Sequence, residues 1–131
     1  RVHKGRLLVL FGCGGDRDRQ KRPLMAKAAA RWADGIIITD DNPRNEAPEA
    51  IRREIVVGLP KNTRWREVPD RKAIEQTIAM MRQGDLLLLA GKGHEDYQII
   101  QNKTIPFDER EIVTEILKSG RIPWKNCHCE K

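Results

Sequence analysis

Gly35-Ile36-Ile37-Ile38-Thr39-Asp40-Asp41-Asn42-Pro43-Arg44 sets the frame for this chain. The aliphatic run reads as a buried strand. It leads into a loop holding two carboxylates, an amide and a guanidinium, with Pro43 stiffening the turn. A helical pattern comes next. Loops at the carboxyl ends of parallel strands are where open α/β sheets bind ligands. This loop offers a fork for a carboxylate and acceptors for an ammonium group, so an amino acid is the ligand type expected.

The flanking segments repeat the same alternation. Arg6-Leu7-Leu8-Val9-Leu10-Phe11 is a near-continuous apolar run, the pattern of a central parallel strand. A long polar loop from Gly12 to Arg22 leads to Pro23, which suits the first turn of a helix. Met25, Ala28, Ala29 and Trp32 predict that helix's apolar face. Ala47, Ile51 and Ile55 predict a second helix, closed near Gly58. Trp65-Arg66-Glu67-Val68 reads as a short third strand, Asp70 as an N-cap, and Ile74, Thr77, Ile78 and Met81 as a third helical stripe. Leu86-Leu87-Leu88-Leu89-Ala90 is another buried strand by pattern, running into Gly91-Lys92-Gly93-His94-Glu95. The period then changes. Gln98–Gln101 and Lys103–Phe107 flank Asn102 as a hairpin, and Asp108 with Glu111 resembles a capping box ahead of Ile112, Val113, Ile116 and Leu117. Strand and helix in alternation mean βαβ crossovers and a mainly parallel sheet, with the hairpin as an antiparallel edge.

The 131 residues are the size of one ordinary domain, 39% hydrophobic and 34% charged, and the longest aliphatic runs are only strand-length, which excludes a membrane helix. No signal-peptide pattern is present, and a start at Arg1 without Met reads as a piece of a longer chain. Three cysteines, Cys13, Cys127 and Cys129, argue against a disulfide framework and fit a reducing cytoplasm. Cys127-His128-Cys129 spaces its cysteines more closely than the roughly two to four residues of a zinc pair, and no second pair exists. The tail 121–131 therefore reads as polar and poorly ordered.

Net charge is +6 and uneven: residues 1–31 hold nine Lys and Arg against Asp16 and Asp18, a surplus of +7, leaving −1 for the remainder. An anionic partner near the first loop is one reading, and a solvated basic face is the plainer one. With one Tyr, two Phe and no aromatic-basic interleaving, no stacking platform for nucleic acid is built.

The first loop imitates a dinucleotide fingerprint but fails it. Gly12 and Gly14 fit, while Arg17 stands where the third glycine should let helix and strand close up. No G-x-x-x-x-G-K-[ST] phosphate loop occurs either. What the loop offers is backbone approach at Gly14-Gly15, a carboxylate at Asp16 and four cations. In the third loop Glu95 offers an acceptor for an ammonium, whereas His94 has no nucleophile partner and no general-base role is assigned to it. Convergence weighs most. Three loops far apart in sequence end three neighbouring strands, carry complementary charge, and hold glycine or proline where a mere surface loop would not need them.

These residues resemble a known family. Gly12-Cys13-Gly14-Gly15-Asp16-Arg17-Asp18 with Lys21-Arg22-Pro23-Leu24-Met25, Asp41-Asn42-Pro43-Arg44, and Gly91-Lys92-Gly93-His94-Glu95-Asp96-Tyr97-Gln98 are similar to three motifs of the C-terminal domain of Mur ligases, in order and spacing. The tetrapeptide is similar to that of diaminopimelate-adding members. The resemblance spans roughly Arg6 to Leu117. It implies a Rossmann-like three-layer α/β domain over residues 1–120. It also implies an ATP-dependent ligase that joins meso-diaminopimelate to UDP-N-acetylmuramoyl-L-alanyl-D-glutamate in the bacterial cytoplasm, for peptidoglycan synthesis. By position, Arg17, Asp41, Asn42, Pro43, Arg44, Gly91 and Glu95 match the family's diaminopimelate contacts, and Asp16 the acidic residue that meets the ATP ribose. ATP and Mg²⁺ would be held mainly by a central domain, and the UDP-sugar by a first domain, neither of which this chain contains. The chain alone is therefore expected to be inactive. A different class stays open beside this one: a stand-alone module binding nucleotides or phosphorylated ligands through its basic first loop.

Overall fold

The computed structural model describes residues 5–70, 72–92 and 94–120. Four parallel strands form one sheet: β1 (Leu7–Phe11), β2 (Gly35–Ile38), β3 (Trp65–Glu67) and β4 (Leu86–Ala90), in the order β3-β2-β1-β4. The helices that connect and follow them are α1 (Lys21–Trp32), α2 (Pro48–Val56), α3 (Lys72–Met80) and α4 (Glu109–Lys118). Period-2 alternation divides β1 between two cores. Val9 and Phe11 pack with Ile36, Ile38, Ala26 of α1, and Ile51 and Ile55 of α2. Leu8 and Leu10 pack with Ile37, Ala73, Ile74 and Ile78 of α3, and Ile112 and Ile116 of α4. The result is three layers, helices on each face of a parallel sheet, which is why β1 and β2 read as unbroken apolar runs.

The caps follow the sequence. Asp108 accepts from the N–H groups of Arg110 and Glu111 and starts α4. Asp70 accepts from Lys72 N–H ahead of α3. Three expectations change. The buried side of α1 carries Arg22 and Ala26, with Ala29 and Ala30 partly covered, while Trp32 is 67% exposed. In this alanine-rich helix the small apolar residues approach the sheet and the large apolar ones, Leu24, Met25 and Trp32, are displaced outward. β4 is an edge strand: Leu86 and Leu88, opposite Leu7 and Val9, are about half exposed, whereas Leu87 and Leu89 lean on the α3/α4 core. The hairpin β5 (Tyr97–Ile100) and β6 (Lys103–Pro106) does not extend the sheet but forms a two-stranded sheet of its own. A single parallel bridge, Arg44 to Ile100, ties it to the loop after β2. The tail 121–131, expected to be poorly ordered, lies outside the described residues, and so does the Cys127-His128-Cys129 cluster.

Candidate functional site

Because all four strands run parallel, the loops after β1, β2 and β4 meet at one end of the sheet. The chain leaves β1 toward β2 on one side and reaches β4 on the other, so this is a topological switch point, the crevice where such sheets bind ligands. The first and second loops touch by backbone. Gly15 N–H donates to Asn42 O at 2.7 Å, and a Cβ on Gly15 would stand 1.8 Å from Pro43 O. Glycine is required there by contact alone. In the third loop Gly91 has φ +139°, a conformation that side chains rarely adopt.

Asp41, Asn42 and Lys92 form the centre. Lys92 is 4% exposed. Its Nζ donates to Asp41 Oδ1 at 2.9 Å, to Asn42 Oδ1 at 3.2 Å and to Tyr97 O at 2.8 Å. It also lies 5.4 Å from the Phe107 ring centroid. Asn42, 3% exposed, accepts a further bond from Ile99 N–H at 2.9 Å, and its Nδ2 donates to Glu95 Oε2 at 3.4 Å. The buried Gln98 donates to Asp41 O at 2.6 Å.

Arg44 has φ +51°, a left-handed conformation for a residue with a Cβ. Strand β5 holds it so: Arg44 N–H donates to Ile99 O at 3.1 Å, and Gln101 N–H donates to Arg44 O at 2.6 Å. The side chain turns back over the first loop, with Nη1 3.0 Å from Gly15 O and 3.4 Å from Asn42 O. Arg44 thus meets the backbone carbonyl of Asn42 and Glu95 its side-chain amide. Arg17, Asp41 and Gly91 line a cavity of about 390 Å³ with Cys13, Lys21 and Met25, whereas Asn42, Arg44 and Glu95 stand outside its walls. Pro43 is buried beneath Gly15. Asp16, at φ +53°, is exposed, and its Oδ2 accepts from Asn45 Nδ2 at 2.9 Å.

The basic first loop is only partly a ligand surface. Arg22, 1% exposed, pairs with Glu46 at 2.6 Å and Glu54 at 2.5 Å and donates to Gly14 O at 3.0 Å. Arg19 pairs with Glu54 as well. Half of the loop's four cations therefore clamp it to α2 and to the second loop, leaving Arg17 and Lys21 at the cavity. Burial pushes the Cys13 thiol up to about 11, so it stays protonated and unreactive.

Sequence reasoning did not single out Lys92, Gln98 or the Arg22 clamp. Lys92 carried one signal, a lysine between two glycines directly after an apolar strand, but periodicity does not report which lysine loses its water.

Three comparisons with known proteins bear on this arrangement. The family model described as "Mur ligase, glutamate ligase domain" matches residues 1–93. UDP-N-acetylmuramoyl-L-alanyl-D-glutamate--2,6-diaminopimelate ligase of Rickettsia typhi is 53% identical over 118 residues, 89% of this chain and 24% of that protein. The ligase of the same name from Syntrophomonas wolfei is 48% identical over 122 residues, 91% of this chain and 25% of that protein. A solved structure of a ligase of that name superposes with a TM-score of 0.86 at 41% identity, covering 92% of this chain and 25% of that one. The chain spans about a quarter of the length of the curated relatives it matches. On the family match over more than half of its length, joined to the parallel sheet and its three convergent loops, the chain belongs to the Mur ligase family, as its glutamate ligase domain, the C-terminal domain of those enzymes.

Proposed function

We propose that this chain is the amino-acid-binding C-terminal domain of an ATP-dependent ligase that adds meso-diaminopimelate to UDP-N-acetylmuramoyl-L-alanyl-D-glutamate in the bacterial cytoplasm. One observation carries the reading: the Arg44 guanidinium and the Glu95 carboxylate meet a single buried asparagine from two loops. A guanidinium and a carboxylate that meet the same asparagine suit a ligand with both a carboxylate and an ammonium. Among the described residues, Arg44's side-chain bonds all use Nη1, which leaves Nη2 and Nε to fork onto the carboxylate that distinguishes diaminopimelate from lysine. Glu95 receives an ammonium, and Arg17, Asp41 and Gly91 line the adjoining cavity.

In this reading ATP activates the D-glutamate side-chain carboxylate, and the diaminopimelate amine displaces phosphate from the acyl phosphate. This chain's residues bind the incoming amino acid and orient its amine, and none is assigned to the reacting atoms. Asp16 is exposed at the tip of the first loop, where a ribose hydroxyl can reach its carboxylate. In this reading ATP and Mg²⁺ are held mainly by the central domain of the full-length ligase. No described helix is long and apolar enough to cross a membrane.

The test is Arg44→Ala in a full-length ligase carrying this domain. A charge-assisted bond contributes about 1.5–3 kcal/mol, so the diaminopimelate KM should rise about tenfold to a hundredfold. The ATP KM should stay nearly constant. Equal changes in both would refute the assignment.

A further inference from the structure

We propose that Lys92 is a positioning residue for the amino-acid site, acting through Asn42; the inference rests on the proposed function and deepens it. A side-chain amide can sit in either of two flips, and only its surroundings choose between them. Here Asn42 Oδ1 faces two donors, the Lys92 ammonium at 3.2 Å and Ile99 N–H at 2.9 Å. The flipped amide would point its NH₂ group at both. Nδ2 is therefore turned toward Glu95, whose Oε2 it meets at 3.4 Å. The same ammonium holds Asp41 Oδ1 at 2.9 Å and approaches Glu95 Oε2 to 4.0 Å. One buried cation thus joins Ile99 N–H in setting the direction of an amide and itself holds two carboxylates, on loops about fifty residues apart.

A lysine suits this place better than an arginine. Its acceptors, Asp41 Oδ1, Asn42 Oδ1 and Tyr97 O, surround a single point, and a tetrahedral ammonium carries three donors from one atom, whereas a guanidinium spreads its donors in a plane. Tyr97 O anchors the ammonium to the start of β5, the strand that holds Arg44 in its left-handed conformation. Lys92 itself, 4% exposed and filled by its three acceptors, does not reach a ligand. It acts by keeping Glu95 and Asp41 where an ammonium can use them.

The experiment compares Lys92→Met with Arg44→Ala and Glu95→Gln in the full-length ligase, varying diaminopimelate and ATP in turn. The expected result for Lys92→Met is a diaminopimelate KM raised about tenfold or more with the ATP KM within about twofold. A loss of fold alone would lower activity without splitting the two constants. If Arg44→Ala and Glu95→Gln raise the diaminopimelate KM and a folded Lys92→Met does not, the positioning role is overturned and the site stands. If neither Arg44→Ala nor Glu95→Gln has an effect, the site itself is wrong. Should Lys92→Met fail to fold, nitrogen-15 spectra of the unaltered chain titrated with meso-diaminopimelate decide. Movement of the Asn42 side-chain amide and the Lys92 ammonium together with the Arg44 and Glu95 amides supports the role. Movement of the Arg44 and Glu95 amides with those two signals unmoved overturns it.

Discussion

Arg22 and Lys92 are both buried cations, both donate to three residues, and both touch the loop after β2, yet they serve different ends. Arg22 binds two glutamates whose side chains are still about a quarter exposed, and it joins α1 to α2. Its carboxylate acceptors also take Arg19, at Glu54, and the Asp16 N–H, at Glu46, so they serve to fix the first loop. Lys92 binds groups that lie deeper and belong to the loops proposed to hold the amino acid. The contrast teaches that burial of a charge does not by itself mark function. What matters is whether the partners it orients have bonding capacity left for something else.

Removing Arg22 should give the largest change. Arg22→Met leaves Glu46 and Glu54 without their buried partner, and the folded chain should lose about 2–4 kcal/mol, measured by denaturant unfolding. The value sits below that of a fully buried pair because water reaches both glutamates. The acid limb sharpens the point. Hydrogen bonding from Arg22 holds the Glu46 carboxyl down to about 2, from an ordinary value of 4.5. A depressed carboxyl contributes stability that is whole above its unfolded value and lost as pH falls through the folded one. Unfolding free energy should therefore drop between about pH 4.5 and about pH 2, and the drop should be shallower in Arg22→Met. Asp85, held to about 2 by Arg6, contributes the same limb in both proteins. An unchanged acid profile would break the contrast between the two cations.

Gly15→Ala tests the seam between them. Its new methyl would collide with Pro43 O, parting the first loop from the backbone that carries Arg44. The diaminopimelate KM of the full-length ligase should rise about tenfold or more, a loss of about 1.4 kcal/mol or above in binding. A KM like that of the parent would mean that Arg44 keeps its place without the first loop. The smallest effect belongs to Arg19→Ala. Arg19 shares Glu54 with Arg22 but its side chain is 67% exposed, and water screens such a pair so that it contributes little to stability. Thermal unfolding should scarcely move. A loss matching that of Arg22→Met would show that burial is not what separates these arginines.

The alternation of strands and helices, the caps at Asp70 and Asp108, and the meeting of three loops at one sheet end were all legible along the chain. Local patterns carry that information, because side-chain period reports which face of an element is dry and a capping side chain acts within about three residues. The family's motifs were legible for the same reason: they are contiguous. The faces of α1 and β4 were not. An alanine-rich helix has no strong stripe to read, and the leucines of β4 are alike whether the strand is central or at an edge.

Sequence by itself therefore determined the order of elements, the parallel sheet and the loops that carry Asp41, Asn42, Arg44 and Glu95. Tertiary structure alone decided which cations lose their water and what each then holds: Arg22 the clamp, Lys92 the amide of Asn42. It also decided that β5 forces Arg44 into a left-handed turn. The reason is that desolvation and pairing depend on neighbours some fifty residues away, such as Asp41 and Lys92, and no periodicity within a strand or helix encodes those.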